Sequence, residues 1–67
     1  MIELSLVQRK TLGGMHNGTP VTHHDGIPAA YVVLHLRGLC YTDTERPPSS
    51  RITLAGHEWL TAWEANR

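Results

Sequence analysis

Apolar residues recur at helical spacing in three segments of the chain, with extended segments between them. The first helical segment is residues 5–15. Ser5 and Gln8 have the spacing of a capping box, in which each side chain bonds the backbone N–H of the other residue. The loose apolar stripe of this segment consists of Val7, Leu12 and Met15. The pattern therefore predicts a short first helix.

The strongest helical pattern lies in residues 27–39. Pro28 suits the first helical position, where its missing N–H costs nothing, and Gly38 stands where a C-cap glycine ends a helix. The face predicted to point toward the core holds Ala30, Val33, Leu34 and the stem of Arg37. The outward face holds Ala29, Val32, His35 and Leu36.

Extended segments lie on both sides of this second helix. Residues 18–26 contain Pro20, so they predict a loop with at most a short strand. After the helix, residues 40–42 and 51–54 predict two strands. They would form a hairpin, because two prolines and two serines make residues 44–50 a loop.

The last helix is predicted over residues 55–66, with Thr53 as its N-cap. Trp59 and Trp63 lie four positions apart and therefore share a face of this helix. We expect this face to pack against the second helix, around Leu34. The predicted fold class is α+β, in the order helix, short strand or loop, helix, hairpin, helix.

Length and composition restrict the class of protein. We assign all 67 residues, 1–67, to one domain. Six Lys and Arg balance six Asp and Glu, which is not the basic excess typical of nucleic-acid binders. The one cysteine fits a reducing compartment, and the N-terminus lacks the pattern of a signal peptide. Since no apolar stretch approaches the roughly 20 residues of a membrane span, we expect a cytoplasmic protein that does not bind membranes.

Candidate catalytic and metal-binding residues lack the spacing that their chemistry requires. His57 and Glu58 would need a second histidine at position 61 to form a zinc-protease helix, and Thr61 stands there. No fixed ligand or catalytic spacing joins the other candidates, which are His16, His23, His24, His35 and Cys40. The sequence therefore predicts no enzyme, no metal site and no cofactor.

Two motifs carry a resemblance to a known family. Residues 34–39 (LHLRGL) resemble the L-x-x-x-G-L end of a recognition helix. Residues 51–60 (RITLAGHEWL) are similar to the R-L-T-x-x-G-x-x-x-L run that closes the wing of small bacterial and phage winged-helix proteins. The resemblance covers residues 27–67 and implies a compact winged helix whose wing is the hairpin. Residues 17–26 are too short for the second helix of that family, so the chain resembles a trimmed form.

This resemblance implies a DNA-binding transcription regulator, encoded by a phage or mobile element. The second helix would lie in the major groove and the wing would touch the phosphate backbone. The implied DNA contacts are Tyr31, His35, Arg37, Arg46 and Arg51. The expected partner is double-stranded DNA, bound by a homodimer, because one such module buries little DNA surface.

In the alternative function, the protein has the same fold but binds a protein and not DNA. The outward face of the second helix is mostly apolar, where DNA readers carry hydrogen-bond donors. Together with zero net charge, this favours a protein-interaction module, either a homodimer or an inhibitor of a host protein. Its contacts would be Ala29, Val32, Leu36 and Trp63.

Overall fold

The computed structural model describes residues 2–66 of the chain. It is a small α+β protein with three helices and one three-stranded antiparallel sheet in that range. In chain order the elements are α1 (Leu6–Gly14), β1 (Val21–Thr22), α2 (Ala29–Leu36), β2 (Cys40–Asp43), β3 (Ser49–Ile52) and α3 (Leu54–Ala65). Among the described residues, no helix has the length and apolar character needed to cross a membrane.

The start of α1 is fixed by the predicted capping box. The Gln8 N–H donates to Ser5 Oγ at 3.2 Å, and the Ser5 N–H donates to Gln8 Oε1 at 3.1 Å. Leu12 and Met15 are fully buried, as the apolar stripe predicted. Val7 is 65% exposed, so its place in that stripe was wrong.

The second helix is shorter than predicted at both ends. Pro28 has extended backbone angles (φ −59°, ψ 146°) and is the N-cap residue, so the helix begins one residue later than a proline at the first helical position implies. Gly38, at φ +75°, ends the helix in a left-handed turn that few other residues adopt without strain. The Leu39 N–H then donates to the Leu34 carbonyl at 3.0 Å, and the chain enters β2 directly.

The sheet has the strand order β1-β3-β2. In the predicted hairpin Cys40 pairs with Ile52 and Thr42 pairs with Ser50. β3 begins at Ser49, although the sequence placed the loop over residues 44–50 and the strand over residues 51–54. The reason is that Ser50 is buried with its hydroxyl hydrogen-bonded, so a serine that is typical of a loop is a stable strand residue here.

The last helix has the predicted N-cap. The Gly56 N–H donates to Thr53 Oγ1 at 3.1 Å, and the Thr53 hydroxyl donates to the Gly38 carbonyl at 2.7 Å. Because of the second bond, the start of α3 is attached to the turn that ends α2. Gly56 is buried against the backbone of Leu39, a contact that leaves no room for a side chain.

One cluster of buried apolar side chains forms the core. Its members are Leu12, Met15, Leu34, Leu39, Cys40, Trp59 and Leu60. Leu34 enters it from α2 and shares it with Trp59 and Leu60 of α3, although α2 packs mainly against α1 and β2. Leu12 and Met15, contributed by α1 and its C-cap, supply the apolar surface that the prediction had assigned to the tryptophan helix.

Candidate nucleic-acid interface

The two faces of the hairpin differ, because side chains alternate along a strand. Cys40 and Ser50 are buried on the inner face. Tyr41 and Arg51 are exposed and directly opposite each other on the outer face. The Arg51 guanidinium carbon lies 5.7 Å from the centroid of the Tyr41 ring, which is a cation–π distance. The outer face of the hairpin therefore presents an aromatic ring and a fixed positive charge.

His35 connects this outer face to α2. Its Nδ1 accepts a hydrogen bond from the Thr42 N–H of β2 at 3.2 Å, and its ring centroid lies 5.9 Å from that of Tyr41. Because Nδ1 is the acceptor, the neutral imidazole carries its proton on Nε2. The exposed His35 side chain is thus a hydrogen-bond donor held at the junction of helix and hairpin.

The outward face of α2 is exposed as predicted. Leu36 is 79% exposed and Val32 is 43% exposed. With the hairpin residues they form a continuous region, which we name the outer surface. It consists of Ala29, Val32, His35, Leu36, Tyr41 and Arg51. The sequence reasoning missed Tyr41, although its position next to a buried Cys40 in a strand was enough to place it outside.

The other predicted DNA contacts do not all join this surface. Tyr31 is half-buried against the core, and its ring meets the edge of the His23 ring at a centroid distance of 4.5 Å. Arg37 is exposed just after α2, and its Nη1 donates to the Glu3 carbonyl at 2.8 Å. Arg46 is exposed in the loop between the hairpin strands. Tyr31 therefore packs with the core, while Arg37 lies directly after α2 and Arg46 lies in the loop between β2 and β3.

The loop of the hairpin is not uniformly basic. Glu45 precedes Arg46, and the Glu45 N–H donates to Asp43 Oδ1 at 3.0 Å. These two carboxylates lower the positive potential that Arg46 produces. Asp43 also lies on the outer face of the hairpin, diagonal to Arg51, so the positive charges of the outer face, Arg51 and the neighbouring Arg46, both have a carboxylate nearby.

Trp63, predicted as a protein contact, lies elsewhere. Its ring stacks on Trp59 at a centroid distance of 6.5 Å and an angle of 7°. The Arg9 guanidinium carbon lies 4.3 Å from the Trp63 ring centroid. Trp63 is therefore covered by α1 and belongs with the α1–α3 packing, separate from Ala29, Val32 and Leu36.

The inner face of the hairpin carries a buried polar cluster. His23 Nε2 and Ser50 Oγ are 2.8 Å apart, and Ser50 Oγ and Thr42 Oγ1 are also 2.8 Å apart. Although a serine bonded to a histidine resembles part of a hydrolase site, Ser50 is only 1% exposed and no substrate reaches it. Through these contacts the cluster connects His23, the residue after β1, to both strands of the hairpin.

Cys40 is a buried thiol. It is 2% exposed, and its Sγ donates to the Tyr31 carbonyl at 3.5 Å. Burial raises the pKa of the Cys40 thiol, and a hydrogen bond with the Thr42 side chain opposes this only in part. A thiol that resists deprotonation is a poor nucleophile.

The histidines are distributed over separate places. His16 and His57 are close, with ring centroids 5.0 Å apart, while His23 lies in the buried polar cluster. Within residues 2–66, no group of three or more His, Cys, Asp or Glu side chains is arranged to hold a metal ion.

Comparisons with known proteins identify no relative of this chain. The chain matches no protein-family model, no curated protein and no solved structure. Its function must therefore be argued from the outer surface.

Proposed function

We propose that this protein is a small winged-helix DNA-binding domain of the transcription-regulator type. α2 lies in the major groove, and the β2–β3 hairpin is the wing that follows the phosphate backbone. The observation that carries the proposal is the continuity of the outer surface, in which His35 bonds β2 and Tyr41 joins His35 to Arg51. Such a protein acts on bacterial or phage DNA in the cytoplasm.

The topology supports a trimmed winged helix. β1, formed between α1 and α2, pairs with the second strand of the hairpin and leaves β2 at the other edge of the sheet. In this arrangement the hairpin extends beside α2, because the chain turns at Gly38 straight from the helix into β2. A helix with an adjacent hairpin is the combination that lets one module contact both a groove and a phosphate backbone.

The dimensions of α2 suit the major groove. An α-helix with its side chains is about 10–12 Å in diameter, which fits the groove width of about 12 Å, and the eight residues of α2 extend about 12 Å. Arg37, directly after α2, and Arg51, on the hairpin, would be the phosphate contacts beside the groove. Because a module of this size contacts few base pairs, the functional unit is a homodimer on two half-sites.

A mobility shift on random duplex DNA tests this function. We expect binding at about 50 mM salt that weakens steeply toward about 200 mM, because phosphate contacts release counterions. Arg37→Ala with Arg51→Ala should reduce the salt slope by about one for each phosphate that an arginine no longer neutralises. Lys10→Ala is the matched control, since Lys10 is an exposed, positively charged residue on α1 and lies outside the outer surface. Absence of binding at micromolar protein and low salt would refute the proposal.

A second candidate function rests on the exposure of Leu36 and Val32. Large apolar side chains exposed together mark protein interfaces, and a net charge of zero removes long-range repulsion between copies. Through this face the protein would bind a second copy of itself or a host protein. The affinity of such a complex should hardly depend on salt concentration. Val32→Asp should dissociate the complex, which light scattering would detect as a lower molecular mass. A monomeric wild type that captures no partner would speak against this function.

A further inference from the structure

We infer that His16 and His57 together form a binding site for a divalent transition-metal ion of the Zn²⁺, Ni²⁺ or Cu²⁺ class. The inference goes beyond the proposed function and does not depend on DNA binding. His57 lacks a histidine partner four positions later, where Thr61 stands. The fold supplies a second histidine from a different element, because His16, in the turn after α1, lies beside His57 of α3.

The distance between the two rings is the one expected for two histidines on a single ion. A zinc–nitrogen bond is about 2.0–2.1 Å long and the ring centroid lies about 1 Å behind the ligating nitrogen, so each centroid is about 3 Å from the ion. At the tetrahedral angle between two ligands, the two centroids are then about 5 Å apart. The observed centroid distance is 5.0 Å. The rings are tilted by 57°, which lets their in-plane lone pairs converge, whereas rings stacked face to face cannot direct both lone pairs at one point.

The ring nitrogens of this pair are available to a metal. Among residues 2–66, neither the His16 ring nor the His57 ring has a hydrogen-bond or ion-pair partner. The rings of His23 and His35, in contrast, are bonded to Ser50 and to the backbone of β2. A neutral imidazole with no such partner keeps a lone pair for coordination. Because His16 is exposed and His57 is half-buried, an ion can reach the pair from solvent.

The backbone of both histidines is fixed by local structure. His16 follows the fully buried Met15, and its N–H donates to the Gly13 carbonyl at 3.1 Å. His57 lies in the first turns of α3, directly after the buried Gly56. Ligands on such ordered positions lose little conformational freedom when the ion binds, which favours binding.

Space for the other ligands of the ion lies beside His16. The cavity there has a volume of about 340 Å³ and is also lined by Gly13, Leu60, Thr61 and Glu64. Since a water occupies about 30 Å³ in the liquid, several waters fit. Two histidines fill two of the four positions around a tetrahedral ion, and water fills the other two. A site with two protein ligands also agrees with the lack of any three-ligand group among residues 2–66.

Thermal unfolding of the full chain with added ZnCl₂ tests the inference, because an ion that binds the folded chain stabilises it. Zinc at ten times its Kd should raise the unfolding midpoint by about 5 to 10 °C. MgCl₂ should leave the midpoint unchanged, since Mg²⁺ prefers oxygen ligands. His16→Ala and His57→Ala should each abolish the zinc effect. His24→Ala is the matched control and should preserve it, because His24 is an exposed histidine outside the site.

Proton NMR of the imidazole C–H signals provides a second measurement that uses the unmodified chain. Zinc should shift the signals of two of the five histidines, and the exposed position of His16 makes His16→Ala a suitable variant for assigning one of them. Circular dichroism verifies that each variant is folded.

Three outcomes would overturn the inference. If zinc shifts the signals of other histidines, or still stabilises the chain with both His16 and His57 replaced, the ion binds elsewhere. If millimolar zinc changes neither the unfolding midpoint nor the spectrum, the two rings only pack against each other. None of these results bears on the proposed function, which the mobility shift tests separately.

Discussion

The inner side of the β2–β3 hairpin holds buried polar groups beside the core, whereas the outer surface holds exposed apolar groups, which lie on α2. The buried side contains a histidine, a serine and a threonine, whereas the exposed side continues into valine and leucine on α2. Inside, the polar groups bond one another, so their burial is compatible with a stable fold. Outside, the apolar groups contribute nothing comparable to the core. The comparison indicates that the inner polar cluster maintains the structure and that the outer surface is available for binding.

The largest effect on the inner side should come from Gly56. A Cβ there would collide with the Leu39 carbonyl and lie 2.7 Å from Ile52 Cγ1, so α3 would have to move away from the hairpin. We expect Gly56→Ala to destabilise the protein by about 3 kcal/mol, measured by urea unfolding. Gly13→Ala, in α1 with no atom within 4 Å of its Cβ position, should instead stabilise by about 0.5 to 1 kcal/mol. A small effect for Gly56→Ala would show that α3 and the hairpin are loosely packed.

The next largest effect should come from Ser50. Ser50→Ala leaves His23 and Thr42 without their shared partner in a buried site and should cost about 2 kcal/mol. The control is Ser49→Ala, on the outer face of the same strand. This variant should change the free energy of unfolding by less than about 0.5 kcal/mol. Equal values for the two variants would mean that the polar cluster does not stabilise the hairpin.

Local chemistry made much of the fold predictable. The capping box at Ser5, the N-cap at Thr53 and the glycine turn at Gly38 each depend on neighbours within a few positions, and each is present. The start of β3 was missed because the hydroxyl of Ser50 is satisfied by His23, which lies 27 positions away. A serine after two prolines predicts a loop unless that distant partner is known.

The candidate site was predictable only in part for a similar reason. Helical periodicity placed Val32, His35 and Leu36 outside correctly. It did not show that Tyr31 turns toward His23, nor that Tyr41 links His35 to the hairpin. These are contacts between elements, and the sequence pattern of one element contains no information about them.

Changing the outer surface should leave stability nearly unaltered. Val32→Gln with Leu36→Gln keeps residues of adequate helix propensity and should change the free energy of unfolding by less than about 0.5 kcal/mol. The same double variant should still bind duplex DNA, because glutamine adds hydrogen-bond donors to the outer surface. Thermal unfolding measures the stability, and a mobility shift on random duplex measures the binding. A large decrease in stability would mean that the outer surface packs against the protein and is not free to bind.

The smallest effect concerns Cys40 and appears only at high pH. Burial raises the pKa of the folded thiol above its ordinary value near 9.0, so the unfolded chain releases this proton first as pH rises. The stability that this shift contributes is complete below the ordinary pKa and is lost as pH rises through the folded one. The free energy of unfolding should therefore fall more steeply above pH 9.0 in the wild type than in Cys40→Ala, whatever the stability of that variant at neutral pH. Iodoacetamide should alkylate Cys40 slowly until urea unfolds the chain. Rapid alkylation of the folded protein, or parallel pH profiles for the two proteins, would mean that the inner side of the hairpin opens to water and that its contrast with the outer surface is smaller than the structure indicates.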